Sequence, residues 1–272
     1  MMLTVFLAAT VAVLLVMNTM FVIGMRSNDN SLVDIAYGPA FVLACAAAWF
    51  ASGDGAHFRP LLMLGLLCLW GLRLGLHIGF RHRGRGEDFR YRAFREAWGQ
   101  TFVWRSFLQI YTLQGLVILL VATPILVVIA RPGGEMVWTD VLGAGLFLLG
   151  FSFEAVADWQ LLRFKGNPAN KGRIMTMGLW AFTRHPNYFG EALLWWGFFF
   201  LGLGSPAGIY GLISPLLIGF LLLKVSGVPM LEAKYRGDPE FEAYARTTNS
   251  FFPWPPRKRA AQERDSSHVG DI

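Results

Sequence analysis

The chain has 272 residues, of which 54% are hydrophobic and 15% charged; its mean hydropathy is +0.45 and its formal charge is +6. A soluble domain carries roughly 25% charged residues, so the composition excludes a disordered chain, a disulfide-stapled secreted scaffold and an ordinary cytosolic enzyme. It points to an all-α integral membrane protein that crosses the bilayer several times.

The first apolar run is Leu3–Ile23. No Lys or Arg precedes it, and it is longer than the core of a secretory signal. Six more runs follow, near 32–51, 60–80, 107–130, 137–162, 188–203 and 207–224. Each approaches the ~20 residues a helix needs to cross the hydrocarbon. A bundle of seven transmembrane helices puts the termini on opposite sides. Segments 25–31, 81–106, 163–187 and 224–272 then share one side and hold 21 of the 24 Lys and Arg residues. The positive side faces the cytoplasm, so the N-terminus lies outside and the C-terminus is cytoplasmic. For a bacterial source the host is the inner or cell membrane. The membrane domain occupies 1–256, and 257–272 reads as a polar, disordered tail. The same rule accounts for the basic charge without nucleic acid. Cys45 and Cys68 sit in apolar runs and read as packed small hydrophobes. The five His residues show no ligand spacing, so no metal site is expected.

Asp34, Arg73, Glu154, Asp158 and Glu191 fall in or at the ends of these spans. Each ionisable group at the bilayer centre costs about 2.5–3.5 kcal/mol on insertion scales. Glu154 and Asp158 share a helical face, as do Asn187 and Glu191. Two arrangements fit: Arg–carboxylate staples between helices, or a polar cavity open to the basic side. Three clusters border that side: Arg81–Tyr91, Lys165–Arg173 and Thr183–Glu191. In the third, Pro186 suits the first turn of a helix, whose unpaired N–H groups and dipole favour an anion. Arg184 and His185 flank that end, and Asn187 can hydrogen-bond an amide or phosphate. An ordinary cap with snorkelling basic residues fits equally well. Arg81, Arg83, Lys165 and Arg173 suit nucleotide phosphates or anionic lipid headgroups. Neither a Rossmann fingerprint nor a P-loop occurs.

Gly178-Leu179-Trp180 leads into Thr183-Arg184-His185-Pro186-Asn187-Tyr188-Phe189-Gly190-Glu191. With Val33-Asp34-Ile35, Trp70-Gly71-Leu72-Arg73-Leu74, Glu87-Asp88-Phe89-Arg90-Tyr91, Tyr244 and Phe252-Pro253, this run resembles the steroid 5-alpha-reductase family, in its bacterial branch of unknown function. The likeness runs from about Asp34 to Pro253. The shorter Arg-His-Pro-x-Tyr run is shared with isoprenylcysteine methyltransferases and sterol C14-reductases. The resemblance implies seven helices enclosing NADPH, and reduction of a carbon–carbon double bond conjugated to a ketone, as in 3-oxo-4-ene steroids. It implies that Asn187, Glu191, Asp158, Arg173 and Arg73 hold the cofactor, with Lys165 in place of an Arg and Glu154 in place of an Asn. Arg81, Arg83, Asp88, Arg90, Tyr91, Arg184, His185 and Tyr188 join that set.

The family's catalytic Glu falls at Asp34, and its partner Tyr falls at Trp70. Tyr37, one turn after Asp34, offers a replacement hydroxyl. Asp34 is expected either neutral and donating to an enolate oxygen, or ionised and paired with Arg73. The expected partners are an apolar small molecule and membrane lipid. The alternatives are an S-adenosylmethionine-dependent methyltransferase of isoprenylcysteine type and a non-enzymatic lipid-binding protein.

Overall fold

The computed structural model describes residues 1–55 and 57–257, so the polar tail expected at 257–272 lies outside the described residues apart from Arg257. Among the described residues there are helices and turns and no strand. The long apolar helices are α1 (Met2–Ser27), α2 (Leu32–Ser52) and α3 (Phe58–His82). A helical stretch then runs through α4 (Phe89–Trp98), α5 (Phe102–Ser106), a π-turn at Phe107–Thr112 and α6 (Leu113–Val121). Next come α7 (Thr123–Ala130), α8 (Trp138–Gly166), α9 (Pro186–Gly202) and α10 (Ile213–Phe220). The chain closes with α11 (Val228–Ala233) and α12 (Pro239–Thr247).

Six stretches are long and apolar enough to cross a membrane: 2–27, 32–52, 58–82, 89–121, 138–166 and 208–233. The protein is therefore a helical, multi-pass membrane protein. The expected span at 188–203 is the 17-residue α9. At 1.5 Å per residue it is about 25 Å long, a little short of the ~30 Å hydrocarbon core.

The fourth span departs most from the expectation of 107–130. It begins at Phe89 and ends at Val121, because Pro124 cannot continue the helical ladder and the chain breaks at Ala122. Asp88 starts the stretch by accepting from the Arg90 backbone N–H at 3.0 Å. The Arg-rich segment after it, read as loop from its charge, is helical. From Pro124 to Ala130 every residue is buried, so this piece is core and not lipid-facing wall.

The structure divides into two compact units. The first is Met1–Leu148 with Leu193–Ile218, and the second is Leu149–Ala192 with the chain from Gly219 onward. In the first, α1 packs on α2 and α2 on α3. Gly38 and Gly71 let the backbones of α2 and α3 touch, since a Cβ on either would run into the other's carbonyl. Phe41, Trp70, Trp195 and Phe198 form the aromatic core, with neighbouring ring centroids 5.1–5.5 Å apart. Cys45 is buried, Cys68 is half-buried, and both are free thiols.

The end of α3 opposite Arg81 is held by a buried ion pair. Arg59 Nε and Nη2 each donate to the Asp140 carboxylate at 2.8 Å. The same guanidinium donates to the carbonyls of Pro132 (2.7 Å) and Glu135 (2.9 Å). Both side chains are 2% exposed. Removing one partner of such a pair strands the other charge and costs about 3–5 kcal/mol. Arg59→Met is therefore expected to lower the unfolding temperature in detergent sharply. Arg59→Met/Asp140→Leu should recover much of the loss in the same thermal scan.

Candidate functional site

Each unit carries a polar cluster that contains residues expected from the sequence. In the second unit it is built on the start of α9. Thr183 is buried and its hydroxyl donates to the carbonyls of Phe251 (2.8 Å) and Ser250 (3.3 Å). Backbone pairs Arg184 N to Asn249 O and Trp254 N to Phe182 O, both 2.9 Å, lay the C-terminal segment along the motif. Tyr244 on α12 donates its hydroxyl to the Trp180 carbonyl, and Trp180 Nε1 donates to Ala157 O at 3.2 Å. Burial pushes the Tyr244 phenol well above its ordinary value, against the pull of Arg184.

The Arg184 guanidinium makes a fork–fork pair with Glu232 of α11, Nε to Oε1 at 2.8 Å and Nη2 to Oε2 at 3.2 Å. Its Nη1 donates to the carbonyls of Ala245 (3.1 Å) and Thr248 (2.6 Å). Four of its five N–H donors thus engage the chain itself. His185 Nε2 lies 3.0 Å from Glu232 Oε1, and its ring stacks on Tyr188 with centroids 5.4 Å apart. Asn187, in the first turn of α9, donates Nδ2 to Asp158 Oδ1 at 3.3 Å. Gly190 lets the α9 backbone meet α8, because a Cβ there would strike the backbone of Gly150 and Glu154. Glu154 and Asp158 are buried, while Lys165 in the last turn of α8 and Arg173 in the loop after it are exposed.

In the first unit the cluster joins the start of α2 to α4. Asp34 Oδ1 accepts from the Tyr91 hydroxyl at 2.6 Å, and its Oδ2 accepts from Arg90 Nη2 at 2.8 Å. Arg90 also donates Nε to Asp88 at 2.9 Å. Burial would raise the Asp88 carboxyl, but the side-chain and backbone hydrogen bonds from Arg90 outweigh it and hold it below the usual range. Around this knot, Glu87 accepts from Arg95 (2.9 and 3.1 Å) and from the Asn30 backbone N–H (2.9 Å). Tyr111 donates to the Asn30 carboxamide at 3.0 Å, and His82 Nε2 lies 2.8 Å from Asp29.

The family model described as "Protein of unknown function (DUF1295)" matches residues 20–248. The chain belongs to this family. It is a steroid 5-alpha-reductase-like family in general terms, and the matched range contains the charged groups of both clusters. The chain is also similar to a "Probable O-methyltransferase ustE" from Ustilaginoidea virens, 36% identical over 85 residues. That match covers 30% of this chain and spans about three tenths (29%) of the relative's length. No solved structure matches.

Within this DUF1295 chain the sequence-expected residues divide by surroundings. Asp34, Asp88, Arg90 and Tyr91 come together, as do Arg184, His185 and Tyr188, and separately Asn187 and Asp158. Tyr37 packs edge-on against Phe41, with centroids 5.2 Å apart. Trp70 is fully buried in the aromatic core. Arg73 is half-buried on α3, and Glu191 is half-buried one turn after Asn187. Arg81 and Arg83 are exposed, the latter with its guanidinium 5.5 Å from the Phe80 ring. Among the described residues no group of three or more His, Cys, Asp or Glu is placed to hold a metal.

Sequence reasoning missed Glu232, the hub of the second cluster. Its signal was a lone carboxylate just beyond an apolar stretch. It also missed that the hydroxyl meeting Asp34 belongs to Tyr91. Glu232→Ala would leave Arg184 and His185 without their shared carboxylate and cost about 1–3 kcal/mol. The expected readout is a lower unfolding temperature in detergent and faster trypsin cleavage after Lys234 and Arg246.

Proposed function

We propose that this chain is a membrane reductase that uses NADPH to reduce the carbon–carbon double bond of an apolar enone. The observation that carries the reading is the Tyr91–Asp34–Arg90 group. A phenol hydroxyl donates to a carboxylate, and an arginine on the other oxygen holds that carboxylate in place. Reducing a conjugated alkene generates an enolate oxygen that needs a donor, and Tyr91 Oη carries a proton suited to that role. Asp34 orients the phenol; when the Tyr91 O–H turns to the enolate oxygen and gives up its proton, Asp34, having taken a proton from solvent, passes it to Oη and is left as the carboxylate again. Tyr91 then does the work that the resemblance assigned to the position of Trp70.

The donor set of the second unit suits a phosphorylated dinucleotide. Asn187 presents a carboxamide at a helix start, and Asp158 is buried beside it. Exposed Lys165 and Arg173 suit phosphates, including a 2′-phosphate. With four donors of Arg184 already engaged, its part is mainly to hold the motif in shape. When bound, NADPH supplies the hydride; the chain supplies anchoring, exclusion of water and the proton.

In this reading α9 is the sixth of seven crossings, the 21 basic residues of the positive segments face the cytoplasm, and the host is the cell membrane. The partial likeness to a probable O-methyltransferase supports a second reading, methyl transfer from S-adenosylmethionine. A non-enzymatic lipid-binding role gains no specific observation.

The test is to purify the protein in mild detergent and measure binding of NADPH and S-adenosylmethionine, then oxidation of NADPH with a panel of apolar enones. NADPH binding with enone-dependent oxidation is expected. Asp34→Asn and Tyr91→Phe should abolish turnover while leaving the NADPH Kd nearly unchanged. Asn187→Ala should weaken NADPH by about 1–3 kcal/mol, the cost of unpairing buried polar groups. Binding of S-adenosylmethionine and not NADPH would replace this reading with methyl transfer.

A further inference from the structure

The second unit contains a groove of about 370 Å³ along the last two turns of α8 and the loop after it. No residue assigned above to the cofactor lines it. Its floor is apolar and fixed. Phe164 and Met175 belong to a packed cluster with Ala157 and Trp180. One wall is Trp159 and Arg163, four residues apart on one helical face, with the guanidinium 5.1 Å from the indole ring centre. The rim carries Met177, which is 61% exposed, and the amide of Asn167. Among the described residues that line the groove, none is acidic.

The location narrows the ligand. Helix α8 is long and apolar enough to cross a membrane, and the groove lies at the end that carries Lys165 and is followed by Lys171 and Arg173. Trp and Arg side chains at such an end sit at headgroup depth, where the phosphates of the leaflet run. An exposed Trp and Met beside a cation over an apolar floor would be an unfavourable surface facing plain water. It suits a molecule with an anionic head and a hydrocarbon body.

We propose that this groove is a binding site for a single phospholipid of the surrounding membrane. Arg163 pairs with the phosphate oxygens, Asn167 hydrogen-bonds the headgroup, and the acyl chain leaves across Phe164 and Met177. The site is separate from the redox chemistry proposed above, and a chain without reductase activity would still bind lipid here.

The full chain, delipidated in detergent, is titrated with phosphatidylglycerol and followed by native mass spectrometry. Wild type is expected to retain one tightly held lipid. Arg163→Gln and Trp159→Ala should each weaken that binding by about tenfold, whereas Arg246→Gln, outside the groove, should leave it unchanged. Arg163 and Trp159 are exposed, so both variants are expected to elute and melt like wild type. Inorganic phosphate at millimolar concentration should not displace the lipid. Displacement by phosphate would make the groove a soluble-anion site, and displacement by NADPH would make it part of the cofactor site. Either result, or unchanged lipid retention in both groove variants, overturns the proposal.

Discussion

A carboxylate near the start of an apolar helix is stable only if its oxygens find donors, and that requirement organises the first unit. Asp34 sits three residues into α2 and takes Arg90 and Tyr91 from α4. Adjacent residues on a helix normally point to different sides. They converge here because both lie in the first turn, where Asp88 caps the helix and also grips Arg90. Glu87 then ties Arg95 to the backbone of Asn30. The basic segment that charge alone reads as a loop is thus folded into a helix by acids at its own start and by the acid on α2.

The second unit solves the same problem with the signs exchanged. Arg184 needs acceptors, and Glu232 with two carbonyls of the C-terminal segment supplies them. The Arg-His-Pro-Asn-Tyr run therefore has two jobs. Arg184 and His185 secure the segment around α11 and α12, while Asn187, one residue past the proline, is directed to Asp158. A motif that reads as one anion seat in the sequence divides in space into a half that holds the C-terminal segment and a half that meets Asp158.

The spans were legible because hydropathy over twenty residues is a strong, local signal, and the starts of α1 to α3 and α8 follow it within a few residues. The start of the fourth span was not, because its first turns carry Arg90, Arg92 and Arg95, and hydropathy does not register that Arg90 is paired with Asp34 and Asp88 and Arg95 with Glu87. That charged groups would gather was also legible from their cost in lipid. Which charge meets which was not: the sequence pointed to Arg73 as an ionic partner for Asp34, and the fold brings Arg90 to 2.8 Å. Glu232 escaped notice for the same reason, since its role depends on Arg184, 48 residues away in the chain. The proton-bearing hydroxyl was sought one helical turn from Asp34, at Tyr37, while the fold supplies it from Tyr91.

The central claim is that Asp34 and Tyr91 act as one proton-handling unit, and a double-mutant cycle on enone-dependent NADPH oxidation measures it directly. The account predicts that Asp34→Asn/Tyr91→Phe is no slower than the slower single variant, because either change already disables the pair. Rate losses that multiply independently would contradict it.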